Sequence, residues 1–351
     1  MPTNADELKP IRTFISGAYW YVPDKKQYER ASLTTMSREP SSEQTYWFDE
    51  LFEGGIKIPD PGGDSPITIL LNGAPGTGKS TLALEMSYRL ANPPTPEQKP
   101  LRSIYLTTEG HAPWTIEHAR QFKWDLDKKV FDVASSAKDL AAEGGSHAVR
   151  ILPLKSADDL EYFVKEVDSI RTSRPTDEPS VNKPVRQLFP GLAYKPSPVV
   201  QPAEPPPHSV GGQGGLSKDI LILDNLNAVD TDANKWFQFT KSLSTKGFRV
   251  FIIVLDSSHS TEKALAWEYL ADIVIHLGRQ YPAGYMIRTL EIVKARYQGH
   301  VYGRQQMKLV AGSDKFDPRD HPYRTEGGIF IFPSMHLALS RRKMSDRKSV
   351  V

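Results

Sequence analysis

The sequence contains no cysteine, which excludes disulfide bonds, thiol catalysis and cysteine-ligated metal sites. It also has no apolar run near the roughly 18 residues that a membrane-spanning helix requires. The amino terminus lacks a basic end followed by an apolar stretch, so we expect no signal peptide. These absences favour a cytoplasmic protein that works in a reducing compartment and has no membrane partner.

The chain has little net charge and a moderate apolar content. Its formal net charge is +2 at pH 7, which argues neither for nor against a nucleic-acid partner. Its 351 residues allow one large domain or two ordinary ones. Hydrophobic residues make up 39% and 28 residues are proline, which indicates that a sizeable part of the chain lies outside the core.

The stretch 73–81, Gly-Ala-Pro-Gly-Thr-Gly-Lys-Ser-Thr, is the strongest motif in the chain. The apolar run 67–71 before it predicts a buried strand, and the apolar spacing of 82–90 after it predicts a helix. A Gly-x-x-x-x-Gly-Lys-Ser pattern between a strand and a helix predicts a loop that binds phosphate. Glycines let successive backbone N–H groups turn inward around an anion, and the helix adds the positive end of its dipole.

We expect this loop to bind ATP together with Mg²⁺. The residues predicted to bind the nucleotide are Gly73, Ala74, Pro75, Gly76, Thr77, Gly78, Lys79, Ser80 and Thr81. Lys79 is expected to reach the β- and γ-phosphates and act in catalysis, and the Ser80 hydroxyl is expected to ligate Mg²⁺. The alternative is a chance glycine-rich turn, and the two flanking elements argue against it.

Apolar strands alternate with helices along the rest of the chain. Strands are predicted at 103–108, 149–154, 219–224, 249–255, 272–277, 289–294 and 328–332, and helices at 114–124, 158–170 and 236–243. This alternation predicts an α/β fold with a doubly wound, mostly parallel sheet. The strands 272–277 and 289–294, with a turn at Gly284 between them, predict a C-terminal antiparallel hairpin at the edge of that sheet.

Acidic and polar side chains follow three of these strands, at Glu109, at Asp224 and at 256–258. Because right-handed crossovers bring the carboxyl ends of parallel strands to one edge, we expect these groups beside the phosphate loop. Asp224 is predicted to support the Mg²⁺ ion, and Glu109 to orient and deprotonate the attacking water. The group 256–258 could sense the γ-phosphate or cap the following helix, and strand-end acids without a catalytic role remain the simpler alternative.

Composition divides the chain into parts of different kind. Residues 1–45 form a polar N-terminal extension with an aromatic cluster at 18–23, and 46–340 form the main domain. Within that domain, 173–217 is rich in proline and glycine, which predicts a flexible surface insertion that could recruit a protein partner. The basic C-terminal tail, 341–351, is expected to be solvated or to make a weak contact.

Several ordered pieces of the sequence resemble the KaiC-like branch of the RecA-type ATPases, a group of P-loop NTPases. Besides the phosphate loop these pieces are 48–56, 105–109, 122–125, 222–226, 267–274, 288–296 and 328–333. They span the main domain apart from its insertion. The resemblance implies a RecA-like sheet and a homo-oligomer, a hexameric ring or a filament, with ATP at the subunit interfaces.

The resemblance also implies roles for individual residues. In that family a glutamate at the end of the second core strand is catalytic, which corresponds to Glu109. The family often has two adjacent glutamates there, whereas this chain has Gly110 at the second position. A Lys-x-Arg at the end of the hairpin, Lys294 and Arg296 here, implies two catalytic cations that reach the γ-phosphate of a neighbouring subunit. Exposed hairpin charges are the alternative.

Three functions are compatible with this sequence. The leading hypothesis is a ring-forming regulatory ATPase that hydrolyses ATP. The second is a RecA-like, ATP-dependent DNA-binding or recombination protein, which the aromatic cluster and the basic tail keep open. The core shows no basic stripe with interleaved aromatic residues, which argues against it. The third is an ATP-dependent scaffold with little turnover.

Overall fold

The structure is a computed structural model, and it describes 17 stretches of the chain. They are residues 11–13, 15, 17–18, 21–22, 27–28, 45–57, 66–93, 100–108, 112–124, 130–136, 149–172, 220–228, 233–245, 248–256, 261–312, 326–332 and 334. Some predictions therefore fall on residues outside the described part. These are the ones for Glu109, for Ser257 and Ser258, for most of the extension 1–45 with Tyr19 and Trp20 of its aromatic cluster, for the insertion 173–217 and for the tail 341–351.

The described residues form six helices and fourteen strands. The helices are α1 (Trp47–Glu50), α2 (Lys79–Ala91), α3 (Ala112–Gln121), α4 (Ala157–Thr172), α5 (Ala233–Ser244) and α6 (Thr261–Leu270). The first seven strands are β1 (Gly17–Ala18), β2 (Tyr21–Val22), β3 (Gln27–Tyr28), β4 (Thr45–Tyr46), β5 (Ile67–Gly73), β6 (Ser103–Thr107) and β7 (Phe131–Val133). The others are β8 (Val149–Pro153), β9 (Ile220–Asp224), β10 (Val250–Asp256), β11 (Ile273–Gln280), β12 (Ile287–Ala295), β13 (Gln305–Val310) and β14 (Gly328–Phe332).

Ten of these strands form one sheet in the order β14-β13-β12-β11-β5-β10-β9-β6-β8-β7. Strands β11 to β7 of that order are parallel to their neighbours, and β12, β13 and β14 continue the sheet in antiparallel pairs. The predicted α/β fold class, a mostly parallel sheet with an antiparallel C-terminal extension, is confirmed.

The position predicted for the hairpin was wrong. The hairpin exists, with β11 and β12 joined through a 3₁₀ turn at Pro282–Gly284. However, β11 is a parallel neighbour of β5 inside the sheet, and β13 and β14 lie beyond β12. In the described residues the edge strand is therefore β14, because β13 pairs with β12 at 288–290 and β14 pairs with β13.

The core lies on both faces of the sheet, as the burial of β10 illustrates. Val250, Ile252 and Val254 belong to the apolar cluster on the α2 side, and Phe251 and Ile253 belong to the cluster on the opposite side. This two-residue period is the geometry of a strand that is covered on both faces. Among the described residues, no helix is long and apolar enough to cross a bilayer.

The two ends of the described chain pack onto the same body. Near the amino terminus, the Thr13 N–H and hydroxyl both donate to Asp49 Oδ1 over 2.7 Å, and Ile15 is fully buried. Near the carboxyl end, the Ile329 N–H donates to Glu85 Oε2 over 2.7 Å. Helix α2, which begins at the phosphate loop, is therefore tied directly to the edge strand β14.

Candidate phosphate-binding site

Close packing under the loop explains why it begins with glycine. A Cβ atom on Gly73 would lie 2.1 Å from the Leu277 carbonyl oxygen, a backbone atom of the neighbouring strand β11. At the other end of the loop, Gly78 has a φ of +104°, a conformation that residues with a side chain rarely adopt. Strand packing and backbone geometry therefore fix the loop between β5 and α2.

The amino terminus of α2 carries the features of an anion site. Gly78 is the N-cap residue and supplies no side-chain hydrogen bond, and the first turn contains no acidic residue. The helical bonding starts with the Leu82 N–H, which donates to the Gly78 carbonyl over 2.9 Å. The first N–H groups of a helix have no intrahelical acceptor, and the helix dipole adds positive potential where they point.

Lys79 lies inside the loop and is only 7% exposed. Its ammonium donates to the Ala74 carbonyl over 2.9 Å, and the Thr77 hydroxyl donates to the same oxygen over 2.9 Å. The loop therefore folds back around its own lysine, with the positive charge held at its amino-terminal half. This places the predicted phosphate-contacting cation among the predicted nucleotide-binding residues.

Ser80 and Asp224 meet although they lie on different elements. The Ser80 hydroxyl on α2 donates to Asp224 Oδ1 at the end of β9 over 3.0 Å. Asp224 is 4% exposed, and its other oxygen, Oδ2, accepts from the Tyr105 hydroxyl over 2.5 Å. The structure thus brings together the two residues predicted to support the metal.

This pair fits Mg²⁺ by its chemistry. A hydroxyl and a carboxylate are the hard oxygen ligands that Mg²⁺ prefers, and Mg²⁺ is commonly held by one or two such groups with the substrate phosphates. In the described residues no group of three or more acidic or histidine side chains forms a metal cage. Ser80 and Asp224 would therefore hold the ion jointly with a bound triphosphate.

Glu109, the predicted general base, lies outside the described residues. Its neighbour Thr108 is described: the Thr108 N–H donates to the Asp224 carbonyl over 2.7 Å. The Thr108 hydroxyl and the N–H of Asn225 are also hydrogen-bonded, over 2.9 Å. The end of β6 is thus fastened to the end of β9, and the role of Glu109 stays a prediction.

Lys294 and Arg296 lie near the amino-terminal ends of the parallel strands, whereas the phosphate loop of their own chain lies at the carboxyl ends. The Arg296 N–H donates to the Asp272 carbonyl, and the Asp272 N–H donates to the Thr68 carbonyl, each over 2.9 Å. Thr68 is at the start of β5, five residues before Gly73, or roughly 17 Å along the strand. These two cations are therefore remote from the phosphate loop within one chain.

Both cations bind the carboxyl end of α6. Lys294 Nζ donates to the carbonyls of Glu268 and Tyr269 over 2.8 and 2.9 Å, and Arg296 Nη2 donates to Tyr269 over 3.0 Å. Cations at a helix carboxyl end satisfy its last carbonyls and oppose the dipole. Partial burial, and next the positive charge of Arg296, lower the pKa of Lys294 below its ordinary value.

Two arginines that the sequence analysis missed lie next to the loop. Arg288 Nε donates to the Gly76 carbonyl over 3.4 Å, and Arg279 Nη1 is 3.4 Å from the place of a Cβ atom on Gly76. Arg279 and Arg288 are cross-strand partners in the β11–β12 hairpin. Both residues are near the hairpin turn, which lies beyond the carboxyl end of β5. The predicted hairpin could therefore have indicated that they lie close to the loop.

A histidine that was also missed contacts the end of the loop. His118 Nε2, on α3, lies 3.0 Å from the Thr81 hydroxyl, and the His118 ring packs edge-on against Phe122. Burial lowers the pKa of His118 below its ordinary value, because removal from water disfavours the charged imidazolium. Sequence spacing does not reveal this contact, since it depends on how α3 lies against α2.

The mostly parallel sheet and its glycine-rich loop define a phosphate-loop protein with an α/β fold. No protein-family model and no curated protein matches the chain. Among solved structures, the chain is similar to a KaiC-like protein from the hyperthermophilic archaeon Pyrococcus horikoshii OT3, with 19% sequence identity and a TM-score of 0.47. The alignment covers 82% of this chain and 95% of that one, and a likeness at this identity concerns the fold alone.

Proposed function

We propose that this protein binds ATP with Mg²⁺ at the loop 73–81 and hydrolyses it, as an oligomer whose sites lie between subunits. The observation that carries the proposal is the 3.0 Å contact between Ser80 and Asp224 at the first turn of α2. It joins a metal-supporting pair to a helix terminus suited to phosphate, and phosphoryl transfer requires both.

Each predicted residue has a distinct task in this proposal. The loop N–H groups and Lys79 hold and orient the phosphates, and Ser80 with Asp224 supports the cation. The ion held by these two residues would supply positive charge that offsets the negative charge developing during transfer. Glu109 would orient the attacking water and accept its proton.

The intersubunit part of the proposal rests on the two remote cations. The backbone of Arg296 is joined through Asp272 to Thr68, which lies roughly 17 Å along β5 from Gly73, and the Lys294 ammonium binds the same helix end as Arg296. Arg296 keeps 40% of its side chain exposed, so a second copy could bring its loop to it. An arginine supplied in trans is worth roughly 10³–10⁵ in rate in related chemistry. A hexameric ring or a filament is the assembly that we propose, because head-to-tail contacts produce one or the other.

One experiment tests the proposal as a whole. ATP binding, release of inorganic phosphate and particle mass would be measured together, with and without ATP and Mg²⁺. We expect phosphate release and a nucleotide-dependent rise in mass toward a ring or filament. A strictly monomeric protein that leaves ATP intact would contradict the proposal.

The same measurements distinguish the other two hypotheses. Tight ATP binding and assembly without phosphate release would favour the scaffold. Single-stranded DNA binding that needs ATP and weakens steeply with salt would favour the recombination protein, since phosphate contacts make DNA affinity strongly salt-dependent.

A further inference from the structure

We propose that Tyr105 is a positioning residue for the divalent cation: its hydroxyl fixes the Asp224 carboxylate in the orientation that serves Ser80. This inference rests on the proposed function, since it concerns the same site. It assigns a specific task to a buried hydroxyl that the predicted mechanism does not use.

The strand register explains how Tyr105 reaches Asp224. Strands β6 and β9 are parallel neighbours, with Tyr105 opposite Ile222 and Thr107 opposite Asp224. Tyr105 and Asp224 are therefore diagonal neighbours on one face of the sheet, about 8 Å apart at the backbone, since neighbouring strands are about 4.8 Å apart and two residues rise about 6.6 Å. An aromatic side chain spans this gap. The ring crosses it and brings its hydroxyl 2.5 Å from Asp224 Oδ2.

The two oxygens of Asp224 face different groups. Oδ2 accepts from Tyr105, whereas Oδ1 accepts from Ser80 over 3.0 Å. A carboxylate that is bonded at both oxygens cannot rotate freely about its Cβ–Cγ bond. The Tyr105 contact is also as short as a charge-assisted O–H···O⁻ hydrogen bond, which is about twice as strong as a neutral one.

Burial makes the loss of this hydroxyl costly for the orientation of Asp224. Tyr105 is 1% exposed and Asp224 is 4% exposed, so water does not readily replace a lost donor. A phenylalanine at position 105 would fill the same apolar space and donate nothing. Groups that orient a metal-supporting residue typically change metal affinity 10- to 100-fold when they are removed. Tyr105 should therefore affect the cation much more than the nucleotide.

Tyr105→Phe tests this division between cation and nucleotide. Affinity for a fluorescent ATP analogue would be measured in EDTA and then during a Mg²⁺ titration. We expect the affinity in EDTA to change less than about twofold and the Mg²⁺ midpoint to rise about 10- to 100-fold. Mn²⁺ binding in the presence of ADP, followed by electron paramagnetic resonance, should weaken by a similar factor.

Tyr88→Phe is the matched control. Tyr88 is also a buried tyrosine whose hydroxyl donates to a carboxylate, that of Glu326, over 2.7 Å. Its contact lies on the β14 side of α2, so its removal should leave the Mg²⁺ midpoint unchanged. Equal shifts in both variants would assign the effect to general loosening of the core and overturn the proposal.

Tyr105→Met also lacks a hydroxyl, and it should lose as much cation affinity as Tyr105→Phe does. It also carries the comparison with wild type if Tyr105→Phe does not fold. A wild-type Mg²⁺ midpoint in the folded variants would overturn the role of Tyr105 alone. Failure of the wild-type protein to bind ATP in the presence of Mg²⁺ would instead overturn the proposed function.

Discussion

Arg288 and Gly76 lie 212 positions apart in the sequence, yet Arg288 Nε donates to the Gly76 carbonyl over 3.4 Å. The contact joins the β11–β12 hairpin to the middle of the phosphate loop. Because Arg279 is the cross-strand partner of Arg288, it brings a second guanidinium to the same place. Two arginines of the same chain therefore supply positive charge next to the loop, and no neighbouring subunit is needed for it.

Arg288→Gln should weaken ATP binding by about 10- to 100-fold, the equivalent of a lost charge-assisted hydrogen bond of roughly 1.5–3 kcal/mol. Isothermal titration calorimetry would measure the change. Arg304→Gln is the control, because Arg304 is an exposed arginine beyond the same hairpin that pairs with Glu291. Equal affinities in the Arg288 variant and wild type would remove Arg288 from the site.

Lys79→Ala should abolish measurable nucleotide binding. Its ammonium is the cation held inside the loop, at 2.9 Å from the Ala74 carbonyl, where phosphates would be bound. Lys241→Ala, on the exposed face of α5, removes an identical charge away from the loop and should bind ATP normally. Unchanged ATP affinity in the Lys79 variant would refute the assignment of the loop.

Arg296→Ala should bind ATP and hydrolyse it poorly, since the proposed role of Arg296 is in the site of the next subunit. Mixing it with Glu109→Gln tests that geometry. About a quarter of the interfaces in a 1:1 mixture would pair an intact Glu109 with an intact Arg296 if assembly is random and head-to-tail. Phosphate release should therefore reappear in the mixture. A mixture as inactive as its components would argue against catalysis in trans.

Gly73→Ala should destabilise the fold by about 1–3 kcal/mol or more, because its Cβ would collide with a backbone oxygen that has no room to move. Gly284→Ala is the control: its φ of +82° imposes backbone strain, but its Cβ would meet nothing within 4 Å. Urea unfolding would compare the two. A smaller loss in the Gly73 variant than in the Gly284 variant would contradict the close contact with Leu277.

Stability should fall as the pH drops below about 6.5, and His118 should account for part of that fall. Burial lowers the pKa of His118 in the folded state. The unfolded chain therefore takes up a proton first, and stability rises with pH until the unfolded histidine is neutral. The free energy of unfolding, measured by urea denaturation and plotted against pH, should give parallel lines for wild type and His118→Gln above pH 7.5. The two lines should converge at lower pH. Parallel curves across the whole range would contradict the prediction.

The sequence predicted most of the parallel sheet because its strands are apolar on both faces. Strand β10 is an example: its apolar residues are consecutive, and this pattern is typical of a strand that is buried on both faces. Strand β13 was missed for the opposite reason. Its residues Gln305, Gln306 and Lys308 interrupt the apolar pattern, and pairing with β12 and β14 holds the strand instead.

The sequence predicted those site residues that lie directly at the ends of strands. Ser80 and Asp224 were expected together because one follows the loop strand and the other ends a parallel strand of the same sheet. The contacts of Tyr105 and Arg288 were not predicted, because they depend on the register between neighbouring strands. Register is a tertiary property, set by which side chains pack across the sheet and not by spacing along one segment.

Glu85 and Ile329 carry a consequence for how the polypeptide matures. They are 244 residues apart, and the carboxylate of Glu85 is fully buried where it accepts from Ile329. Helix α2 therefore leaves the ribosome well before β14 has been translated. A nascent chain that stalls before residue 329 would leave this carboxylate without one of its hydrogen-bond donors, next to an uncovered apolar helix. Chains without β14 would thus expose apolar surface that quality-control proteases recognise, whereas chains with β14 would not.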